Sequence, residues 1–570
     1  MTSSASNRKP LFTYSNGYLP VAIVVLLLGL LLGMRQVRSF PAFIHAWAQA
    51  DRYALAVGFV DNGHDLFHPQ TMIYNKQFPH EGGYTSPKTW WTVDDGSTVT
   101  AVDFPLHEYL ISLLMRLFGT TAPWVFRCFT LLVSMVGVCF LALMAQRLTD
   151  DWLKTLLVTT VAMTSPLYVY YFANYLPSAP ALAFAMAGLW AYMRYYQDDS
   201  RCQECLVSSG KCLVVSVKCS SAHRLKDSQT QGLTDSKSHR LKDSRTLYWH
   251  VAVGLVAMAT LVRTSYAVLL IALCAFEALR ILHHETTLWN KVPSLAVAAL
   301  AIAGYMLWNR HLREAYGSVF LSQLMPPRSW EDVTTVFNEM HWHWRFEYFT
   351  RLQHWLVAVA CVAAVVLLVI RKRRGGSLSL GWFATIWWLG EMCFFVAMLR
   401  QYQNHDYYFL DSFFLPALFT FILALRVLPA VKGHLPGVIA LVALVALGCV
   451  MYGEATRKVS DRCWEGDRAY ITSQHFQGSD RWLDEQGVSR DARILAFLAY
   501  PQNGPLLQMG RKGYTVMNYD EGVVDAAMGF PYDYAVMEND HITEETLVVL
   551  QQWDLIADNG TLSLFKKKQN

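Results

Sequence analysis

Asp51 and Arg52 stand in the stretch Ala46-Trp47-Ala48-Gln49-Ala50-Asp51-Arg52-Tyr53, where Trp47, Ala50, Ala54 and Val57 recur at helical spacing. This helix begins just past an apolar run at 18–38, so its carboxylate lies close to a membrane surface. Two roles are open to Asp51: pairing with Arg52 or another cation, or accepting a proton. Arg263 ends the apolar stretch 248–263. An arginine left facing lipid costs roughly 3 kcal/mol, so it either snorkels to the headgroups or faces a cavity or an anion. Arg400, His405, Tyr407 and Tyr408 fall between two later apolar runs, where tyrosines suit an aromatic belt as well as a binding wall. Asp103, before Phe104-Pro105, is a second candidate acid. His64, Asp65, His68, His80 and Glu81 are metal-ligand types, but Pro69 and nearby glycines argue against the helix that would align His64 with His68, and no metal is expected. Asp94-Asp95-Gly96 resembles the acidic pair of nucleotide-sugar enzymes, yet its turn-forming neighbours favour a solvated turn.

The elements that position these residues are membrane spans. The chain has 570 residues, 53% hydrophobic and 16% charged, whereas soluble globular proteins carry roughly 25% charged residues. Apolar runs of span length lie at 18–38, 123–146, 153–171, 176–196, 248–263, 265–283, 292–310, 355–370, 380–399, 408–427 and 435–453, which makes about eleven helices. The weakest division is 248–283, where two short helices meeting at Arg263-Thr264-Ser265 compete with one long bent span. Nineteen Trp and 28 Tyr suit many water–lipid interfaces. Lys and Arg in short loops, among them Arg8, Lys9 and the run Arg371-Lys372-Arg373-Arg374, place the N-terminus inside; Arg35 and Arg38 go against the rule. No small-residue cleavage site follows the first run, which reads as an uncleaved span.

Three hydrophilic regions then face outside. The first is the loop 39–122, which ends in the amphipathic stretch 104–119, suited to lying along the interface. The second, about 311–354, is rich in Trp and His. The third is the tail 456–570, with strand-like runs at 493–499, 514–517, 533–538, 554–557 and 562–566 and a helical segment at 543–552. It reads as a small α/β domain following a transmembrane domain at 1–455. Inside, the loop 197–247 repeats Leu225-Lys226-Asp227-Ser228 as Leu233-Thr234-Asp235-Ser236 and Leu241-Lys242-Asp243-Ser244. One Leu per copy cannot build a solenoid, so a disordered low-complexity insertion is expected. Its Cys202, Cys205, Cys212 and Cys219 read as reduced thiols rather than a zinc site; six further cysteines lie in apolar runs.

These pieces resemble the GT-C class of integral-membrane glycosyltransferases. The similar branch is that of dolichyl-phosphate-mannose protein mannosyltransferases and lipid A aminoarabinose transferases. The resemblance runs over 15–455 and rests on an ordered set. An acidic residue follows the first span within Trp47 to Tyr53. Next come Asn62-Gly63-His64-Asp65-Leu66-Phe67-His68-Pro69 and Phe104-Pro105-Leu106-His107-Glu108-Tyr109-Leu110. Leu117-Phe118-Gly119, Ala122-Pro123 and Arg127 lead into the second span, with Leu261-Val262-Arg263 and His405-Asp406-Tyr407-Tyr408-Phe409-Leu410 later.

The resemblance implies an inverting transfer of one sugar from a polyprenyl-phosphate donor to a hydroxyl of a protein, lipid or glycan. It places the site on the outer, periplasmic side of a plasma membrane. Asp51 matches the presumed base, with Asp103 as a second acid; Arg52, Arg263, Arg400, His405, Tyr407 and Tyr408 are the substrate-binding set. No cofactor is implied, and the partners are the donor, the acceptor and membrane lipids, not nucleic acid. Two departures bear on substrate. Phe104 stands where some relatives have a phosphate-contacting lysine, and Asn174-Tyr175-Leu176-Pro177 lacks their second carboxylate. Two rival readings are a transporter or flippase of lipid-linked glycans, whose related halves and broken helices are not evident here, and a non-catalytic scaffold in which Asp51 is dispensable.

Overall fold

The computed structural model describes residues 18–74, 97–208, 231–318, 320, 324–370, 379–519, 521–544 and 546–568; at 18, 198–208, 231–245 and 521 it describes the backbone alone. His80, Glu81, Asp94, Asp95, Arg8, Lys9, Cys212, Cys219 and the basic run at 371–374 lie outside these residues, and the side chains of Cys202 and Cys205 are among those not described. Six described helices are long and apolar enough to cross a membrane: Pro123–Thr149, Thr264–Leu282, Val292–Tyr316, Arg351–Ile370, Leu380–Ala397 and His434–Arg462. Shorter apolar helices occupy Leu19–Gly33, Trp152–Met163, Thr246–Val262 and Phe414–Val427. The chain is a multi-pass membrane protein.

Several helices differ from the expected spans, each for a local reason. The run at 153–171 is two helices, because Pro166 cannot continue the ladder and Ser165 accepts a hydrogen bond from the Tyr168 amide, capping a new start. The run at 408–427 is likewise split at Ser412, leaving the short helix Tyr407–Asp411 before Phe414–Val427. The last span continues to Arg462, past the expected boundary at 455. Helices Ser178–Ser208 and Gln231–Val262 extend into the insertion from both sides, so its residues 197–208 and 231–247 are helical rather than disordered. The division at Arg263 is real: Arg263 is extended, and Thr264–Tyr266 forms one 3-10 turn before Ala267–Leu282.

The loop after the first span carries the helix Ala46–Asp61 and the helix Leu106–Phe118. The second is two-faced as expected: His107, Glu108, Ile111, Ser112 and Met115 are buried, while Leu110, Leu113, Leu117 and Phe118 are exposed. Beyond Arg462, strands β1 (Ile494–Phe497), β2 (Gly513–Val516), β3 (Tyr534–Glu538), β4 (Trp553–Asp558) and β5 (Leu562–Lys567) fall on the five strand-like runs. They form one sheet ordered β2-β1-β3-β5-β4, parallel across the first three and antiparallel thereafter.

This sheet is joined to the first loop by backbone. Ile73 bridges Gly513, the Gly513 amide donates to Met72 O (3.0 Å), and the Tyr74 amide donates to Gly513 O (3.0 Å). Ala54, Met72 and Ile73 pack in the same cluster as Ile494, Ala496, Leu506 and Val536. Gly58 permits this approach: a Cβ there would lie 2.1 Å from Gln70 O. The α/β part is thereby seated on the Ala46–Asp61 helix.

Candidate active site

Asp51 and Arg52 are neighbours on a helix that turns about 100° per residue, so they point to different surroundings. Asp51 does not pair with Arg52. Its carboxylate is only 2% exposed and accepts from Asn503 Nδ2 (2.7 Å) and from Gln502 Nε2 (3.2 Å to Oδ1, 3.4 Å to Oδ2). Burial pushes Asp51 up to about 7, against the lowering pull of the Asn503 and Gln502 amides and the Arg52 charge. A carboxylate poised there is matched to taking up a proton near neutral pH.

Arg52 reaches the other way. Its Nη1 donates to Glu108 Oε1 (3.2 Å), its Nη2 lies 3.6 Å from Asp103 Oδ2, and its guanidinium covers the Phe320 ring at 4.7 Å. Asp103 also lies 3.8 Å from Arg263 Nη1, and the Phe104 amide ties its loop to Leu261 O (3.0 Å) at the helix break. Asp103 therefore sits between two arginines.

Arg263 owes its direction to the break, which turns it away from lipid. Its Nε donates to Asp411 Oδ2 (2.9 Å), Nη2 contacts the same oxygen, and its guanidinium stacks over Tyr407 (5.3 Å) and Tyr408 (5.8 Å). Ser178 Oγ also donates to that carboxylate oxygen (3.1 Å). The structure so brings Asp51, Arg52, Asp103, Arg263, Tyr407 and Tyr408 to one end of the bundle.

Two expected substrate-binding residues stand differently. Arg400 is engaged away from this group: its Nε donates to Pro326 O (2.9 Å) and its amide to Met325 O (3.1 Å). His405 stacks on His45 at 5.3 Å, and burial together with the His45 charge lowers it to about 4, so it is neutral and offers no cation to a phosphate. Its Nδ1–H is directed to Gln401 O (3.3 Å). Of the metal-ligand types in the first loop, His64 Nδ1 meets Ser112 Oγ (2.9 Å) and His68 meets Asp65 (2.7 Å); no group of three or more metal-ligand side chains occurs among the described residues.

Asp411, Glu108, Gln502 and Asn503 were not singled out from sequence. The first could have been noticed as a carboxylate inside an apolar run, four residues after Tyr407. The amides carried no signal, since they lie about 450 residues from their partner.

Residues 102–210 match the family model described as dolichyl-phosphate-mannose-protein mannosyltransferase. Among solved structures, ArnT from Cupriavidus metallidurans bound to undecaprenyl phosphate is similar at 11% identity and TM-score 0.50, covering 97% of this chain and 98% of that one. The chain shares its fold with ArnT. The oligosaccharyltransferase of Archaeoglobus fulgidus in the apo form is similar at 10% identity and TM-score 0.51, over 91% of this chain and 69% of that one. Among curated protein sequences, none matches. The stretch 102–210 holds Asp103, Glu108 and Ser178, whereas Asp51, Arg263 and Asp411 come to the same place from outside it.

Proposed function

We propose that this chain is an inverting glycosyltransferase that takes a sugar from a polyprenyl-phosphate donor and places it on an acceptor hydroxyl. The reaction takes place at the outer face of a plasma membrane, where the residues 456–570 form a separate domain above a transmembrane domain. The acceptor oxygen attacks the anomeric carbon as the bond from that carbon to the lipid phosphate breaks. The hydroxyl proton passes to Asp51, and polyprenyl phosphate leaves with the bonding pair. One displacement from the opposite face inverts the anomeric centre.

The observation that carries this reading is a buried carboxylate with amide partners, set beside an arginine pair. Asp51 has no cation bonded to it and is free to gain a proton, while Arg52 and Arg263 stand ready for the developing phosphate charge. Asp103 lies beyond hydrogen-bond distance of both arginines, at 3.6 and 3.8 Å, so a phosphate oxygen can take its place between them. Tyr407 and Tyr408 wall the Arg263 side. Likeness of fold to ArnT, solved with undecaprenyl phosphate, supports the class of donor.

The test is transfer itself. Purified full-length protein in nanodiscs is incubated with radiolabelled polyprenyl-phosphate mannose or aminopentose and a cell-envelope extract as acceptor. Label moves to the extract with wild type and not with Asp51→Asn. Equal transfer by both proteins would remove Asp51 from the mechanism, and no transfer from either donor would remove both proposed sugars.

A further inference from the structure

The partners of Asp51 come from the far end of the chain. Asn503 is fixed at both ends of its amide: Oδ1 accepts from the Met72 amide (3.1 Å), which leaves Nδ2 to donate to Asp51 (2.7 Å). Met72 in turn lies on the segment that runs beside β2. The bond to Asp51 is the shortest it receives from a side-chain amide, and its direction is set by backbone on the opposite side.

Gln502 is held differently. Its backbone carbonyl accepts from Thr515 Oγ1 (2.7 Å), while its Nε2 spans the two Asp51 oxygens at 3.2 and 3.4 Å. Its Oε1 is buried with no hydrogen-bond partner among the described residues. Buried acceptors without a donor are uncommon and call for a group to fill them. Both residues follow β1, at the carboxyl ends of the parallel strands, where open α/β sheets receive ligands.

We propose that Gln502 and Asn503 complete the acceptor site. Asn503 positions the Asp51 carboxylate, and Gln502 Oε1 receives a second O–H or N–H group of the acceptor, adjacent to the hydroxyl that Asp51 deprotonates. The inference rests on the transferase reading above. It defines the acceptor by chemistry: two donor groups close together, one reacting and one recognised. The incoming hydroxyl displaces the longer Gln502 contacts, and the Asn503 bond stays. Asn503 is a positioning residue, and Gln502 a binding one.

Groups facing Asp51 that share its titration are Arg52 on its own helix and Tyr500 from the β1 side, with the Trp47 indole as a further hydrogen-bond donor. These remain in every variant, so a change in the pH profile reads the amide removed. The experiment uses full-length protein in nanodiscs, labelled polyprenyl-phosphate mannose and aminopentose as donors, and graded amounts of cell-envelope extract. Asn503→Ala is expected to lower kcat by about 10- to 100-fold, the worth of a hydrogen bond to a charged group. The acidic limb of its rate profile moves to higher pH, and the apparent KM for extract is kept. Asn503→Asp, which retains an acceptor for the Met72 amide, is expected to reproduce both effects if the alanine variant does not fold. Gln502→Ala is expected to raise apparent KM by about tenfold with kcat largely kept. Wild-type parameters in the Asn503 and Gln502 variants, with Asp51→Asn inactive, would overturn this inference alone. Activity in Asp51→Asn would instead overturn the transferase assignment of the base.

Discussion

Asp51 and Asp406 are both buried aspartates near the same end of the bundle, and they stand in opposite states. Asp406 accepts from Arg462 Nη1 (2.6 Å), Tyr171 OH (2.6 Å) and His45 Nε2 (3.0 Å). Burial by itself would raise its carboxyl, but Arg462 and His45 overcome that and hold it well below the usual carboxylate range. Asp51 has amides where Asp406 has cations, and burial prevails there. Depth in the protein does not decide whether a carboxylate keeps its charge; the nearest partners do. Asp406 is built as a structural anion: Arg462 joins it to Glu347 (2.9 Å), and Lys458 reaches the same glutamate (2.5 Å). Asp51, raised to about 7, can take up a proton near neutral pH.

Removing the carboxylate should cost activity at one site and stability at the other. Asp51→Asn is expected to reduce sugar transfer by about 10³-fold, within the range of a lost general base, while its melting temperature stays at or above that of wild type. Asp406→Ala should lose about 3–5 kcal/mol of stability, because Arg462 would be left buried without its carboxylate; thermal melting in detergent reads this. A stable, active Asp406→Ala protein would erase the distinction.

The distinction also has a sign in pH. Asp51, raised in the folded protein, adds stability below its unfolded value of about 3.9, and that contribution is lost as pH rises through about 7. Asp406, depressed in the folded protein, adds stability above its unfolded value and loses it as pH falls. Melting curves of Asp51→Asn should therefore fall less steeply than wild type between about pH 5 and 8, with the acid side unchanged.

The arginine pair gives smaller effects. Arg263→Ala should weaken donor use by about 100-fold in kcat/KM, and part of that loss comes from leaving Asp411 without its cation. Asp103→Asn should change kcat/KM by only about threefold, because the carboxylate holds the arginines loosely and takes no proton. A loss in Asp103→Asn as deep as in Asp51→Asn would restore Asp103 as a second acid.

Much of this arrangement was legible before the fold. The apolar runs and the five strand-like runs lie on helices and strands because both depend on local periodicity, and the break at Arg263 shows as a change in apolar pattern. The sequence marks Asp51 as a candidate but does not show its partners. Helical spacing suggested Arg52, yet adjacent residues on a helix diverge, and the true partners arrive through pairing of 70–74 with β2. Arg400 and His405 look like phosphate ligands by type; only the fold reveals that one is committed to Pro326 and the other is a neutral ring against His45. The splits at Ser165 and Ser412 were hidden because hydropathy continues through them.

The most direct measurement is the single-turnover rate of sugar transfer from labelled polyprenyl-phosphate donor as a function of pH, in wild type and in Asp51→Asn. A buried, amide-held base predicts a wild-type rate that climbs about tenfold per pH unit and levels off near pH 7, with a residual, flat profile in the variant. A wild-type rate independent of pH between about 5 and 8, or the same rising limb in both proteins, would contradict Asp51 as the group that takes the acceptor's proton.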